Sequence, residues 1–259
     1  MSTHIYGKHA VEALLKQYPH QAKKLWFSLD SLPPQIAALV DSPSGSGSSL
    51  AKEKIFSKDL TRKFGIKDFE SHQGLLLELK DDLESFLKIG LEELIVESSF
   101  NDKPLLWLPT IQDAHNLGAV IRSVVASGQI GGLVIPSRGS VPINRVVAKV
   151  SAGALFFTKF AYSSSFKSTA TTFKNSGIKI ITLEKTAKSL SLTDINFDDW
   201  NPFVLVVGAE EDGVPRIVSE MADCNVQIPQ SNDIDSLNLS VATGITLYEI
   251  LRQSIVKSK

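Results

Sequence analysis

From residue 104 onward, the chain alternates between short, mainly apolar runs and longer stretches with helical periodicity. The apolar runs cover residues 105–108, 132–135, 178–183 and 203–207, with a shorter one at 226–228. Between them, the spacing of apolar residues predicts helices at 116–127, 142–152, 165–175, 215–221 and 237–255. Strands that are apolar on both faces belong in a parallel sheet covered by helices on both sides. This part of the chain is therefore predicted to be α/β.

Such a sheet restricts where a ligand can bind, because ligands lie beyond the carboxyl ends of parallel strands. Three loops that follow predicted strands carry polar residues. The first reads Asp-Ala-His-Asn-Leu-Gly-Ala-Val-Ile-Arg over residues 113–122. Asn116 is predicted to cap the helix, because its amide oxygen can accept from a free backbone N–H. Arg122 lies on an otherwise apolar helix and needs a phosphate or carboxylate partner, and a structural salt bridge is the leading explanation for it taken alone.

The second loop reads Val-Val-Gly-Ala-Glu-Glu-Asp-Gly-Val-Pro over residues 206–215. Its glycines permit a tight turn with exposed backbone N–H groups, and Pro215 is predicted to begin a helix. Three successive acids repel phosphate, so the loop suits a cationic or zwitterionic ligand held through backbone groups. The dinucleotide-binding and Walker motifs are both absent from the sequence. Nicotinamide and nucleoside triphosphate chemistry are therefore disfavoured.

The third loop leads from Ile228 to the segment Ser-Leu-Asn-Leu-Ser-Val-Ala-Thr-Gly at residues 236–244. Ser236 is predicted to be the N-cap of the last helix. Ser240, Thr243 and Gly244 then form a small-residue face that suits close packing. A well-capped terminal helix explains this loop when it is taken alone. Three such loops at strand ends, in this order, favour a ligand site.

The region before residue 81 is predicted to be a small α/β unit. Helices are expected at 7–18, 36–40 and 58–64, and strands at 24–29 and 74–79. Residues 41–49 are predicted to be a flexible loop, because they are rich in glycine and serine. Residues 81–103 are acidic and are predicted to be a linker with a short helix at 83–94.

Charge is distributed unevenly, although the net charge is only -1. Residues 113–180 hold eight Lys and Arg against the single acid Asp113, whereas residues 181–259 hold six basic and twelve acidic residues. A local basic surface binds phosphate whatever the total charge, so a polyanionic partner is compatible with this chain. The alternative is that these cations only solvate exposed helices.

The rest of the composition indicates a cytoplasmic protein without metal or membrane partners. Cys224 is the single cysteine, which excludes a disulfide framework and a cysteine-rich metal site. A reducing compartment is therefore expected. No apolar run reaches the roughly 20 residues that a membrane span needs. The first residues lack the order of a secretion signal.

The three loops resemble, in order, the three motifs of the SpoU (TrmH-type) branch of the SPOUT superfamily of RNA 2′-O-ribose methyltransferases. They match Asn-Leu-Gly-x-x-x-Arg, Gly-Ala-Glu-x-x-Gly and Ser-Leu-Asn-x-Ser-x-Ala. The segments Ile-Tyr-Gly-x-His-Ala-Val at residues 5–11 and His-Gln-Gly at residues 72–74 resemble the small substrate-binding domain of this branch. The strongest likeness is to members that methylate a guanosine ribose in large-subunit (23S) rRNA. One departure is Ala114, which stands where the family commonly has proline.

This resemblance implies a SPOUT parallel sheet with a C-terminal trefoil knot, preceded by a small α/β substrate-binding domain. It implies S-adenosylmethionine as cofactor, RNA (most of all rRNA) as substrate, and a homodimer. Residues 1–80 become the RNA substrate-binding domain, residues 81–103 the linker and residues 104–259 the catalytic domain. The cofactor would be held by the backbone around Leu183, Gly208, Ile228 and Leu237. The catalytic residues implied are Asn116, Arg122, Glu210, Ser236 and Asn238.

Methyl transfer to a ribose hydroxyl requires removal of the hydroxyl proton, which calls for a base. The family position assigns this task to Arg122, although a guanidinium stays protonated in proteins. Arg122 either loses a proton beside an RNA phosphate, or clamps that phosphate and stabilises the developing alkoxide. We favour the second role. The amides of Asn116 and Asn238 and the Ser236 hydroxyl would then orient the reactants, and Glu210 would anchor them.

Three alternatives remain from the sequence. A tRNA methyltransferase of the same branch is the nearest, and only the N-terminal resemblance favours rRNA. A catalytically silent RNA-binding SPOUT protein is disfavoured, because every motif residue is present. A different α/β enzyme, such as a hydrolase, lacks its Gly-x-Ser-x-Gly motif here, and His115 has no evident nucleophile beside it.

Overall fold

A computed structural model of the chain describes residues 3–41, 50–66, 72–209, 212–231 and 236–257. The chain divides into two compact units. Unit 1 comprises Met1–Leu87 and Ile143–Phe157, and unit 2 comprises Lys88–Pro142 and Thr158–Lys259. The loop predicted at residues 41–49 lies outside the described residues after Asp41.

Unit 1 is built on a four-stranded mixed sheet with the order β1-β4-β2-β3. Strand β1 pairs with β4 and β4 with β2 in antiparallel fashion, whereas β2 and β3 are parallel. The strands are β1 (His4–Tyr6), β2 (Ala22–Phe27), β3 (Ala51–Lys54) and β4 (Leu75–Leu79). The helices are α1 (Lys8–Gln17), α2 (Pro34–Asp41), α3 (Ser57–Phe64) and α4 (Leu83–Leu87).

The core of unit 1 follows from its apolar pattern. Helix α1 buries the stripe that predicted it, and this stripe comprises Ala10, Val11, Ala13, Leu14 and Leu15. Leu60 of α3 joins Trp26 and Leu76 in a second cluster, which also includes Tyr6 and Ile66. Strand β4 is buried at four of its five positions, as expected for a strand covered on both faces.

Residues 143–157 belong to unit 1, although the sequence placed them in the catalytic domain. They form α7 (Arg145–Val150) and a 3₁₀ turn (Ala154–Phe157). The Arg145 guanidinium donates hydrogen bonds to His4 and, at 3.2 Å, to the Phe64 carbonyl oxygen. A Cβ added to Gly153, which has φ +82, would lie 2.6 Å from the His9 carbonyl oxygen. The predicted helix is thus present in shortened form, but it packs against the N-terminal region.

Unit 2 contains a sheet of seven strands in the order β7-β6-β5-β10-β8-β11-β9. All of its neighbouring strands are parallel. The parallel sheet predicted from the apolar runs is therefore confirmed. The strands are β5 (Leu105–Trp107), β6 (Gly132–Pro136), β7 (Phe160–Ser163), β8 (Lys179–Leu183), β9 (Leu190–Ser191), β10 (Phe203–Val207) and β11 (Cys224–Gln227).

The helices of unit 2 are α5 (Leu91–Phe100), α6 (Ala114–Ser127), α8 (Phe166–Asn175), α9 (Arg216–Met221) and α10 (Leu239–Lys257). Trp107 and Phe173 pack with their ring centroids 5.8 Å apart in the core. Helix α10 packs on α6, where Gly118 is buried and Gly244 approaches Ser123. Among the described residues, no helix has both the length and the apolar content to span a membrane.

The strand order brings the predicted loops together. Strands β5, β10, β8 and β11 are successive neighbours, and all run in the same direction. The first loop follows β5, the second follows β10 and the third follows β11. Because parallel strands end at one edge of the sheet, the three loops leave from the same edge.

Candidate functional site

A cavity of about 350 Å³ lies at the carboxyl ends of β8, β10 and β11, and we call it the first cavity. Pockets for small molecules span roughly 300–1,000 Å³, so this one suits a small ligand. The four residues predicted to bind the cofactor, Leu183, Gly208, Ile228 and Leu237, all line it. Loops that lie far apart in the sequence therefore share one cavity.

Gly208 at the end of β10 is required by a close approach of two backbones. A Cβ at this position would lie 2.1 Å from the carbonyl carbon and oxygen of Gly213 and 2.3 Å from the Val214 nitrogen. The Gly213 nitrogen donates to the Ala209 carbonyl oxygen at 2.9 Å, which closes the turn. The backbone of this loop, with no side chain at Gly208, therefore forms part of the cavity wall.

A second cavity of about 250 Å³ adjoins the first, and we call it the second cavity. It is lined by Thr110, Ile111, Gln112, Asp113, Asn116, Ala209, Asp212 and Leu239. Ala209, Asp212 and Leu239 line both cavities. The two cavities therefore adjoin one another at these three residues.

Asn116 and Asn238 connect the first motif with the third. Asn238 Nδ2 donates to Asn116 Oδ1 at 3.1 Å, across 122 residues of sequence. The prediction that Asn116 caps α6 is wrong. Asp113 is the N-cap, and its Oδ2 accepts from the Asn116 nitrogen at 2.9 Å. The Asn116 side chain thus faces the third motif and lines the second cavity.

The third motif also caps its helix differently from the prediction. Helix α10 begins at Leu239, and Asn238 Oδ1 accepts from the Ser240 nitrogen at 2.9 Å and from Ser240 Oγ at 2.6 Å. Asn238, and not Ser236, is therefore the capping residue. Ser236 lines the first cavity. Pro215 likewise precedes α9 as its N-cap and does not begin that helix.

Arg122, one of the two charged residues of the predicted constellation, stands apart from this pair. Arg122 is exposed on α6 and lines neither of the two cavities. It lies six positions after Asn116 on the same helix, a distance of about 9 Å along the helix axis. No ion pair to Arg122 is present in the described part of the chain, so the salt bridge considered for it does not form there. Glu210 lies outside the described residues.

The predicted basic stretch is divided by the fold. Arg145 and Lys149 belong to unit 1. Lys159 pairs with Glu97 at 2.8 Å, Lys174 pairs with Asp223 at 3.4 Å, and Lys179 donates to the Asp199 carbonyl oxygen at 2.9 Å. The exposed cations of the stretch without an ion pair to a described residue are Arg122, Arg138 and Lys167.

Several lining residues were not identified from the sequence. Glu184 and Lys185 follow β8 and line the first cavity. Thr110 follows β5, and its Oγ accepts from the Ala209 nitrogen at 3.1 Å. Their position directly after predicted strands is the signal that could have identified them. Glu184 and Lys185 were missed because no motif includes the loop after β8.

The cysteine lies away from this chemistry. Cys224 is buried in β11, and burial, followed by the nearby Asp223 carboxylate, raises the pKa of its thiol. A protonated thiol is a poor nucleophile and a poor metal ligand. Within the described ranges, no three His, Cys, Asp or Glu side chains are grouped as a metal site.

Comparison with known proteins identifies relatives over nearly the whole chain. Residues 103–248 match the SpoU rRNA Methylase family. The 23S rRNA (guanosine-2'-O-)-methyltransferase RlmB of Pseudomonas aeruginosa is 32% identical over 249 residues, which cover 96% of each chain. That of Shewanella oneidensis is 32% identical over 250 residues, again 96% of each chain. The structure of an AdoMet-bound rRNA methyltransferase from Sinorhizobium meliloti has a TM-score of 0.72 at 22% identity, covering 97% of this chain and 87% of that one, which shows a shared fold.

Proposed function

This chain belongs to the SpoU rRNA methylase family, and we propose that it transfers a methyl group from S-adenosylmethionine to a ribose 2′-hydroxyl of RNA. The target that its relatives' names support is a guanosine of 23S rRNA. One observation carries the proposal. The cavity lined by all four predicted cofactor residues adjoins a second cavity. Asn116 of the first motif lines this second cavity and is hydrogen-bonded to Asn238 of the third motif.

The first cavity is assigned to the cofactor. Its lining combines apolar side chains such as Leu183, Ile228 and Leu237 with the exposed backbone at Gly208. This mixture fits a molecule with an adenine ring at one end and a zwitterionic amino acid at the other. When bound, S-adenosylmethionine would supply an electrophilic methyl group on a sulfonium, S-adenosylhomocysteine would be the leaving group, and the 2′-hydroxyl proton would pass to solvent water.

The second cavity is assigned to the acceptor ribose. The hydrogen bond from Asn238 fixes the direction of the Asn116 amide, so that its oxygen faces Asn238. The amide nitrogen of Asn116 carries two N–H groups, and we assign one of them to the ribose 2′ oxygen. Holding that oxygen where the two cavities adjoin aligns it with the methyl group of the cofactor, and such positioning contributes much of the rate of a displacement.

Arg122 is assigned to the RNA and not to the cofactor. Its guanidinium is exposed and lies outside both cavities. An arginine fork binds phosphate through two parallel hydrogen bonds, and its charge stabilises a developing alkoxide. Arg122→Lys keeps the charge but loses the fork, so turnover is expected to fall at least tenfold. If the variant kept a turnover near that of the wild type, Arg122 would not be a catalytic residue.

Glu210 and Ser236 keep their proposed roles, Glu210 as an anchor and Ser236 as an orienting hydroxyl.

RNA binding is assigned to unit 1 together with the exposed cations Arg122, Arg138 and Lys167 of unit 2. The assignment of residues 1–80 to substrate binding rests on their motifs, and residues 143–157 join that unit through α7. Each phosphate contact releases counterions, so the logarithm of the RNA-binding constant falls with the logarithm of the salt concentration. The slope is about -0.7 per contact on a single strand. Filter binding at rising salt should show a steep loss of affinity, and a flat response would contradict this footprint.

A homodimer is part of the proposal, and α10 carries the surface that supports it. Val241, Ile245 and Tyr248 are exposed at spacings of four and three residues and form one apolar stripe. A second copy of the chain would cover this stripe. Light scattering should give twice the chain mass, and Ile245→Glu should reduce it to that of one chain. A monomeric wild type would contradict the dimer.

The trefoil knot and the cytoplasmic location are also proposed. The knot rests on family membership and on the position of the three loops at one edge of the sheet. An experimental density map would show the path of the last helix. A path through a preceding loop is expected for the knot, and a path outside every loop would contradict it. The location rests on the RNA substrate and the single cysteine, and fractionation of cells tests it.

The decisive experiment for the reaction uses tritiated S-adenosylmethionine. Total RNA from a strain that lacks the gene is incubated with the purified protein, and the labelled species are separated. The proposal expects label in 23S rRNA. Label in tRNA would instead assign the chain to the tRNA branch of the family. Cofactor binding without label in any RNA would identify a silent RNA-binding protein.

A further inference from the structure

The loop after β8 brings an acid to the first cavity that none of the three motifs includes. Glu184 follows directly after Leu183, and both residues line the cavity. The side chain of Glu184 is partly buried. Strand β8 is two strands from β5, so Glu184 lies roughly 10 Å across the sheet from the loop that carries Asn116. Its ligand is therefore a part of the cofactor other than the methyl group that is transferred.

Two hydroxyl groups hold the Glu184 carboxylate in place. Ser219 Oγ of α9 donates to Glu184 Oε1 at 2.7 Å. Thr182 Oγ lies 2.7 Å from the same oxygen and 2.7 Å from Asn225 Oδ1, so its one proton is shared between two acceptors, and Thr182 is fully buried. Both hydroxyls meet Oε1, and Oε2 has no hydrogen-bond partner within the described residues. No cation among them pairs with this carboxylate.

An ionised carboxylate only accepts hydrogen bonds, so a ligand of Oε2 must bring donors. The ribose of an adenosine cofactor has two vicinal hydroxyls. In dinucleotide-binding α/β folds, a carboxylate beyond the strand ends binds such a hydroxyl. Glu184 has the same placement, directly after a parallel strand.

We propose that Glu184 Oε2 accepts hydrogen bonds from the ribose hydroxyls of the bound cofactor, and that Ser219 and Thr182 act as positioning residues for it. This inference rests on the proposed function, because it takes the cofactor to be S-adenosylmethionine. It adds a fixed point on the part of the first cavity that the loop after β8 lines.

The test is calorimetric binding of two probes to the full-length protein. Both probes contain the adenosine ribose, but only S-adenosylhomocysteine also contains the amino acid, which 5′-methylthioadenosine lacks. Glu184→Gln keeps an oxygen for Ser219 and Thr182 but places an amide NH₂ where Oε2 was. The affinities for both probes should fall by the same factor, about tenfold or more, as expected for hydrogen bonds to a charged group.

A change in the probe tests the same contact without altering the protein. Removing both the 2′- and the 3′-hydroxyl from 5′-methylthioadenosine should weaken wild-type binding by a similar factor. Against this deoxy probe, Glu184→Gln should add at most about twofold, because the partner of the carboxylate is already lost. Ser219→Ala should weaken binding about threefold and raise KM for the cofactor, and kcat at saturation should remain unchanged.

Glu220→Gln is the matched control. Glu220 lies on α9 beside Ser219, pairs with Arg216 at 2.7 Å and does not line the cavity. Its affinity for both probes should equal that of the wild type. Unchanged binding of both probes by Glu184→Gln would overturn the inference and leave the proposed function intact. Weakened binding of S-adenosylhomocysteine alone would assign Glu184 to the amino acid and overturn it as well. A wild type that binds neither probe would overturn the proposed function and this inference together.

Discussion

The two units of this chain use the ends of their strands differently. In unit 2 all seven strands are parallel, so the loops after β5, β8, β10 and β11 leave from one edge and enclose two adjoining cavities. In unit 1 strands β1, β4 and β2 are antiparallel, so their ends alternate between opposite edges. Strand direction therefore decides which loops meet. It joins Asn116 to Asn238 across 122 residues of sequence.

The largest expected effect comes from Gly208→Ala in unit 2. The new Cβ would lie 2.1 Å from the Gly213 carbonyl group, so one backbone segment has to move. We expect the affinity for S-adenosylhomocysteine to fall more than 100-fold and the free energy of unfolding to drop by about 3 kcal/mol. Calorimetry and urea unfolding measure the two quantities.

Gly90→Ala is the control for this substitution. Its Cβ would meet only Glu93 Cβ, at 4.0 Å, and the backbone of Gly90 has an ordinary φ of -66. Binding should stay close to that of the wild type, and stability should fall by no more than about 1 kcal/mol, because Gly90 is the N-cap of α5. If Gly208→Ala also bound normally, the first cavity would not be the cofactor site.

The link between the motifs of unit 2 gives the next largest effect. Asn116→Ala and Asn238→Ala should each lower kcat about 100-fold, which is the scale for losing one positioned donor. The double variant should be little worse than either single one, because the two amides act as a unit. Independent, multiplying losses in single-turnover rates would contradict the shared role of the pair.

An asparagine cap in unit 1 is the matched control for Asn238. Asn144 Oδ1 accepts from the Val146 nitrogen at 2.8 Å, as Asn238 Oδ1 accepts from Ser240. Asn144→Ala and Asn238→Ala should each cost about 1 kcal/mol of stability for the lost cap. Only the second should also reduce kcat. Equal losses of kcat would show that capping alone explains the effect of Asn238.

Gly153→Ala in unit 1 is the counterpart of Gly208→Ala and should have a smaller effect. The new Cβ would lie 2.6 Å from the His9 carbonyl oxygen at a φ of +82. We expect unit 1 to lose about 2 kcal/mol of stability, seen as faster amide exchange in α1. The affinity for S-adenosylhomocysteine should stay within about twofold of the wild type. A matching loss of affinity would contradict the independence of the cofactor site from unit 1.

The smallest effect concerns one carboxylate on α10. The hydrogen bond from Arg252 lowers the pKa of Glu249 despite an opposing contribution from burial, and Gln253 adds a second bond. A carboxylate with a lowered folded-state pKa stabilises the protein when the pH is above its ordinary, unfolded-state pKa. This stabilisation is lost as the pH falls through the folded-state pKa. Glu249→Gln should therefore lower Tm by about 1 °C near pH 7 and by nothing near pH 2.

Glu12→Gln supplies the control in unit 1, where Glu12 pairs with Lys16 on α1 at 2.7 Å. This is an exposed pair on a helix surface, and its removal should change Tm by about 1 °C at most. Hydrogen exchange should localise each change to the unit that carries the substitution. A larger effect of Glu249→Gln on Tm in acid than at neutral pH would show that the ionised Glu249 carboxylate does not stabilise the protein.

The parts of the fold that follow from the sequence are those with strong apolar runs. Strands β5, β6 and β10 were predicted because each is apolar along its length and buried, and β8 was predicted because it is mainly apolar with a buried centre. Strand β3 was not predicted, because all four of its residues are exposed and only pairing with β2 makes it a strand. Strand β1 has only three residues, and β7 ends in polar residues. The attachment of residues 143–157 to unit 1 depends on long-range contacts, such as that of Arg145 with Phe64, which no local pattern encodes.

The site was predictable in its location and less so in its detail. A parallel sheet gathers its loops at one edge, so the shared cavity follows from the order of the elements. The capping residues did not follow, because Asp113 and Asn116, like Ser236 and Asn238, are all able to cap a helix. Which of each pair caps depends on where the helix begins, and sequence places that start only within about two residues.

The most direct test of the central claim is the chemical position of the transferred methyl group. RNA labelled by the protein from tritiated S-adenosylmethionine is hydrolysed in alkali, which cleaves beside every free 2′-hydroxyl. We predict that the label survives in an alkali-resistant dinucleotide that begins with guanosine and originates from 23S rRNA, and that Asn116→Ala gives almost none. Label released as a mononucleotide, with the methyl group on a base, would contradict it.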